Sequence, residues 1–161
     1  GNSYDEDFPQ IFAAGKFEVP ERTAEVLLQQ VKSTAAGKPD LAASLMVIII
    51  EQRLAAGKVL EDDLVAAMAE VAPSAKLQLS EKTCKKLEEQ AKKAAKEDKK
   101  PILAAGLLAP LVAPKKELVL GAWQLGDDGV AILCKALESP NCLVKTVELF
   151  KNNIGPDGAT A

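Results

Sequence analysis

The chain has 161 residues, enough for one domain or one domain with a small appendage. Its 20 basic and 23 acidic residues nearly cancel, for a net charge of −3, which argues against a nucleic-acid binder or a protein held on an acidic membrane surface. Hydrophobic residues make up 48% but aromatics only 4%, so the apolar mass is Ala, Leu, Val and Ile, a composition suited to closely packed helices.

The opening GNSYDEDF is acidic, and residues 1–6 are expected to fray. It has neither the basic start nor the long apolar run of a signal peptide. A short helix is expected from Asp7 to Ala14, with Pro9 in its first turn, where the missing N–H does no harm. The string AAGK recurs at 13–16, 35–38 and 55–58, and AAG returns at 104–106. It reads as a helix stop: Gly supplies the left-handed residue and Lys meets the negative end of the dipole. A phosphate loop would need a further upstream Gly and a hydroxyl after the Lys, but Pro39 follows Lys38 and Val59 follows Lys58.

These stops divide the first two-thirds into helices. Pro20 opens one that runs to about Ala36, with Val26, Leu27 and Val31 expected to face the core. Pro39 opens the next, to about Ala56, and its apolar residues, from Leu41 through Leu54, surround the axis. A helix apolar all round is buried, so this one is expected at the centre of a bundle. Its strongest stretch, LAASLMVIII at 41–50, is half the length that crosses a bilayer. A helix over about 60–72 carries Leu60, Leu64, Val65, Met68 and Val71 as one stripe and ends at Pro73.

Another helix starts after Ser80, a good N-cap. Its inner face is Cys84, Leu87, Ala91 and Ala94 or Ala95. The charge around Lys92, Lys93 and Lys96 reads as a solvated face with Glu–Lys pairs one turn apart, in preference to a basic docking surface. A last helix opens on Pro101, and Gly106 and Pro110 are expected to shorten, bend or split it. The division is therefore a helical domain of about six helices over 1–113 and a different segment over 114–161.

Little in the chain points to chemistry. It has no His, which removes the usual general base and metal ligand. Cys84, Cys134 and Cys142 form no C-x-x-C and are odd in number, so they read as small core residues in a reducing compartment, not as disulfides or a zinc site. Asp62–Asp63 and Asp127–Asp128 sit at helix starts, where the dipole accounts for them. No enzyme activity, metal or cofactor is expected, and the location is expected to be intracellular and cytoplasmic.

After Pro114 the pattern changes from helical to a short strand-like run followed by a helical one, and it then repeats. LGAWQLGDDGVA at 120–131 aligns with LFKNNIGPDGAT at 149–160. Leu120 meets Leu149, Leu125 meets Ile154, Gly126 meets Gly155 and Gly129 meets Gly158, and such a recurrence marks stacked units. Leu118, Leu120 and Leu125 of the first copy, and Val147, Leu149 and Ile154 of the second, are expected to turn inward. Asn152 is suited to bridging backbone groups in the turn, since its amide both donates and accepts. Gly155 and Gly158 would allow the tight entry to the following helix. Trp123 stands where the second copy has Asn152, so the first copy is expected to be a modified end unit, its indole covering the seam to the helical domain.

These residues resemble the leucine-rich repeats of the ribonuclease-inhibitor type. ILCKALESPNCLVKTVEL is similar to repeats in the nucleotide-binding, leucine-rich class of vertebrate innate immune receptors. The resemblance covers about 115–161; the helical part resembles no family. The fold class expected is mainly α, an Ala-rich helical bundle followed by about two α/β leucine-rich-repeat units, the second breaking off inside its helix.

The resemblance implies a concave face built from the strand side chains between the inward Leu positions: Glu117, Val119 and Gly121, then Thr146, Glu148 and Phe150. The function expected is a non-catalytic module that binds a protein partner there, with Phe150 as the anchor or else packed on a next repeat or a neighbouring helix. The alternative is a structural or linker subunit of a larger assembly. A weaker one is a GTPase regulator: some proteins of this repeat class use a loop Arg for that, but the only arginines here, Arg22 and Arg53, lie in the helical part.

Overall fold

Residues 21–161 are described by a computed structural model. The expected helix at Asp7 to Ala14 and the first AAGK lie outside the described residues. The fold is mainly α, with seven helices and two short strands among those residues.

Helix α1 (Glu21–Thr34) buries Ala24, Leu27 and Val31, spaced i, i+3 and i+7 on one face. Val26 was expected inside but is exposed, because one residue before Leu27 means about a quarter-turn away from that stripe. Helix α2 (Pro39–Ala55) begins with Pro at its first position and is buried along most of its length, as an all-apolar helix must be. It ends in a Schellman turn. Gly57 takes φ 72°, its N–H donates to Leu54 O at 3.1 Å, and Lys58 N–H donates to Arg53 O at 3.0 Å. The same string after α1 behaves differently. Gly37 is not left-handed, and Lys38 N–H simply donates to Thr34 O at 2.7 Å.

Helix α3 (Asp62–Val71) buries Leu64, Val65, Ala67, Met68 and Val71. Helix α4 (Glu81–Lys96) is capped by Ser80, whose hydroxyl accepts from Thr83 N–H at 3.2 Å. Its exposed side carries the Glu81–Lys85 pair one turn apart, with Lys92, Lys93 and Lys96 also exposed.

Helix α5 (Pro101–Val112) is the centre of the packing. It touches α3, α4 and the helix that follows it, and every residue from Ala104 to Val112 is buried. That place was expected for α2, which rests chiefly on α1. Neither Gly106 nor Pro110 interrupts α5. Pro110 lies in the last turn, where it forfeits one backbone bond without ending the helix. Gly106 is there for contact: a Cβ at this position would lie 2.5 Å from Val65 Cγ1, so the absent side chain lets α3 lie directly on α5.

Strand β1 (Glu117–Val119), helix α6 (Gly126–Leu137), strand β2 (Thr146–Glu148) and helix α7 (Pro156–Thr160) follow. The strands pair in parallel, Glu117 with Thr146, Leu118 with Val147 and Val119 with Glu148. One hydrophobic cluster runs from Leu27 to Ala136, through the helices and on through Leu118, Leu120, Trp123 and Leu125. The core is thus continuous across position 113. Helix α6 rests on α5, where Gly129 faces the Pro101 carbonyl and Ala105. Among the described residues no helix is long and apolar enough to cross a membrane.

Candidate partner-binding site

The register of β1 on β2 equals the repeat seen in the sequence. The backbone repeats with it. Ala122 and Gln124 take φ 59° and 56°, and their counterparts Lys151 and Asn153 take 56° and 55°. Side chains seldom adopt such angles, so two left-handed positions recurring at the same places show that the two turns share one geometry. The pairing also extends past the strands. Leu120 N–H donates to Glu148 O, Ala122 N–H to Phe150 O and Gly126 N–H to Asn152 O, each at 2.9 Å. Before the strands, Leu143 N–H donates to Ala113 O at 2.7 Å and Lys145 N–H to Lys116 O at 2.8 Å.

Asn152 holds the two turns together. It is only 2% exposed. Its Oδ1 accepts from Trp123 N–H at 3.1 Å and from Leu125 N–H at 3.3 Å. Its Nδ2 donates to Leu120 O at 2.7 Å and to Leu149 O at 2.9 Å. The first turn has Trp123 in the amide's place and takes its bonds from the second turn. Trp123 itself is buried in the common core.

Asp127, read from the sequence as a dipole partner only, has a second role. Its Oδ1 accepts from Gly155 N–H at 2.6 Å. Gly158 packs on the same carboxylate, where a Cβ would meet Asp127 Oδ1 and Ile154 Cγ2. Gly155 and Gly158 are therefore small because α6 comes close. Gly155 has φ −91°, a value open to any residue.

The inward positions divide by unit. Leu118, Leu120 and Leu125 are buried, whereas Leu149 and Ile154 are half-buried and Val147 is exposed. The expectation that Val147 turns into a core is corrected. Its counterpart Leu118 is 2% exposed and Val147 is 40% exposed, because β1 lies between the helical part and β2 while nothing among the described residues covers the outer side of β2.

Strand alternation brings the expected binding residues together on the opposite face. Glu117, Val119, Thr146, Glu148 and Phe150 are all exposed. The register puts Val119 beside Glu148, with Phe150 beyond them. Val119 is 57% exposed and Phe150 59%. The Phe150 ring lies over Gly121, where a Cβ would run into it, so the ring packs on the preceding unit and still presents most of its surface. Neither Glu117 nor Glu148 pairs with a cation of the described residues.

The three cysteines are free and half-buried. Burial pushes the Cys84 and Cys134 thiols up from their usual pKa, and the carboxylates of Glu51 and Glu138 respectively add to the rise. Such thiols are poor nucleophiles near neutral pH.

No family model matches the chain, and comparison with curated proteins and with solved structures finds no match.

Proposed function

We propose that the chain is a non-catalytic interaction module, in which a helical domain caps two leucine-rich-repeat units and the exposed strand face binds a protein partner. One observation supports this most: two large apolar side chains, Val119 and Phe150, stand exposed on one face, flanked by the carboxylates of Glu117 and Glu148, which pair with no cation among the described residues. Exposed aromatics in such settings tend to carry binding energy, and the surrounding charge sets orientation. The Gly121 seat holds the Phe150 ring before any partner arrives, which lowers the ordering cost of binding. The test is a peptide-display selection against the full chain, counter-screened with the Val119→Asp/Phe150→Asp double variant. Binders should be lost on the double variant; binders that ignore it would overturn the reading.

A linker subunit of a larger assembly is the second reading. It is supported by the outer edge of β2, which pairs with no strand among the described residues, and by the exposed Val147 and Leu143 beside it. Sedimentation of the isolated chain separates the two, a stable monomer favouring the module.

A further inference from the structure

A second surface lies among the helices, away from the strand face. Helix α3, the N-terminal half of α5, and α6 enclose an open groove of about 940 Å³. Its origin is the close seating of α3 on Gly106. With Ala66 and Ala69 on the groove side of α3, no large side chain fills the space above Val65 and Leu103. The groove-lining residues of α3 are Asp62, Asp63, Val65, Ala66, Ala69 and Glu70, with Pro73 just past its end. From Asp62 to Glu70 they run for a little over two helical turns, or roughly 12 Å.

The walls differ in sign. Asp62, Asp63 and Glu70 stand along α3, while Lys100 and Lys135 stand on the other side. Among the described residues none of these five forms an ion pair, with its opposite wall or elsewhere. Ile102 lies at the mouth and is 56% exposed. We propose that this groove binds an amphipathic helix of a partner protein. Its apolar stripe lies on Ile102, Leu103 and Ile132, its basic edge lies along α3, and its acidic edge lies along Lys100 and Lys135. A compact ligand would call for polar groups converging in an enclosed pocket. Here the floor is apolar and open along its length, and the charges stand apart on two rims, as suits a helix laid in a groove.

The experiment follows the methyl NMR signals of Ile102, Leu103 and Ile132 in the full chain as synthetic 14-residue helical peptides are added. All the peptides share one Leu stripe. One has a Lys edge and a Glu edge, a second has two Glu edges, and a third has two Lys edges. The mixed peptide should bind at least about tenfold more tightly than either of the others, the worth of a few rim ion pairs. A Lys100→Glu/Lys135→Glu chain, altered only at exposed positions, should switch its preference to the two-Lys peptide. Three results would overturn the proposal: equal binding of all three peptides, shifts at Val119 in place of Ile102 and Ile132, or no switch in the charge-reversed chain. Two more would give the groove another occupant and overturn it equally. Shifts on diluting the chain alone would put a second copy there, and shifts in a Phe8→Ala/Phe12→Ala chain without peptide would put the chain's own first residues there. Apart from shifts at Val119, which would place the peptide on the strand face, none of these outcomes bears on that face.

Discussion

Asn152 Oδ1 accepts the backbone N–H of Trp123, its own counterpart 29 residues earlier, at 3.1 Å. The residue that lacks an amide is served by the one that has it. This explains how a bulky indole can replace the turn amide: the bonds that bridge the units run from the second turn back to the first, and Trp123 contributes its N–H and its buried mass.

Removing that amide should be costly. In Asn152→Ala, the buried N–H groups of Trp123 and Leu125 and the Leu120 carbonyl lose their partner together. The expected loss is about 3 kcal/mol, from a few unsatisfied buried groups at about 1–3 kcal/mol each, partly relieved by water. Urea unfolding monitored by Trp123 fluorescence measures it. A loss below about 1 kcal/mol would mean that the two turns are held by packing alone.

The unequal burial of paired positions gives a direct comparison. Leu118→Ala empties a core site and should cost about 3 kcal/mol. Val147→Ala, at the matching position of β2, should change stability by no more than about 0.5 kcal/mol, because it is exposed. Equal losses at the two sites would show that Val147 is covered in solution.

The two half-buried thiols with raised pKa set a pH dependence. Cys84 and Cys134 hold their protons to higher pH in the folded chain than in the unfolded one, desolvation being the main cause. Their contribution to stability is therefore complete below the unfolded thiol pKa of about 8.5 and is lost as pH rises through the folded values. The midpoint of thermal unfolding should fall as pH rises above about 8.5, and Cys84→Ala/Cys134→Ala should flatten that part of the curve. Alkylation of both thiols at pH 8 should lag behind that of a free model thiol.

What could be read from the sequence was whatever depends on neighbours along the chain. Ser80 caps α4 as expected, since a cap acts within three residues. The repeat offset became the strand register because every paired position carries the same shift. What escaped depends on neighbours in space. Gly106 and Pro110 look like breaks, but Gly106 answers to Val65 of another helix. Asp127 looks like a dipole partner until Gly155 is placed against it. Val147 follows the inward pattern, and only the bare outer side of β2 shows that the pattern has nothing to bury against. For the strand face the sequence named the positions, while the seating of Phe150 on Gly121 required the fold.

Glu51 is the clearest such residue, and it carries the last prediction. It lies in α2, on a helix otherwise noted for apolar residues, yet its carboxylate reaches the start of α4. There it accepts Ser80 N–H at 3.0 Å and the Thr83 hydroxyl at 2.6 Å. Thr83 is buried, and its hydroxyl's other partner is the Ser80 hydroxyl, which donates to it; a negative charge at a helix N-terminus is favoured by the dipole. Glu51→Ala should cost about 2 kcal/mol, from lost hydrogen bonds to a charged carboxylate, the Thr83 hydroxyl keeping only its contact with the Ser80 hydroxyl at 2.9 Å. Ser80→Ala should cost about 1 kcal/mol as a lost cap. The two act on one helix end, so the double variant should depart from the sum by at least about 0.5 kcal/mol. Strict additivity would mean that Glu51 and Ser80 serve α4 separately, and that the link from α2 to α4 is made by apolar packing.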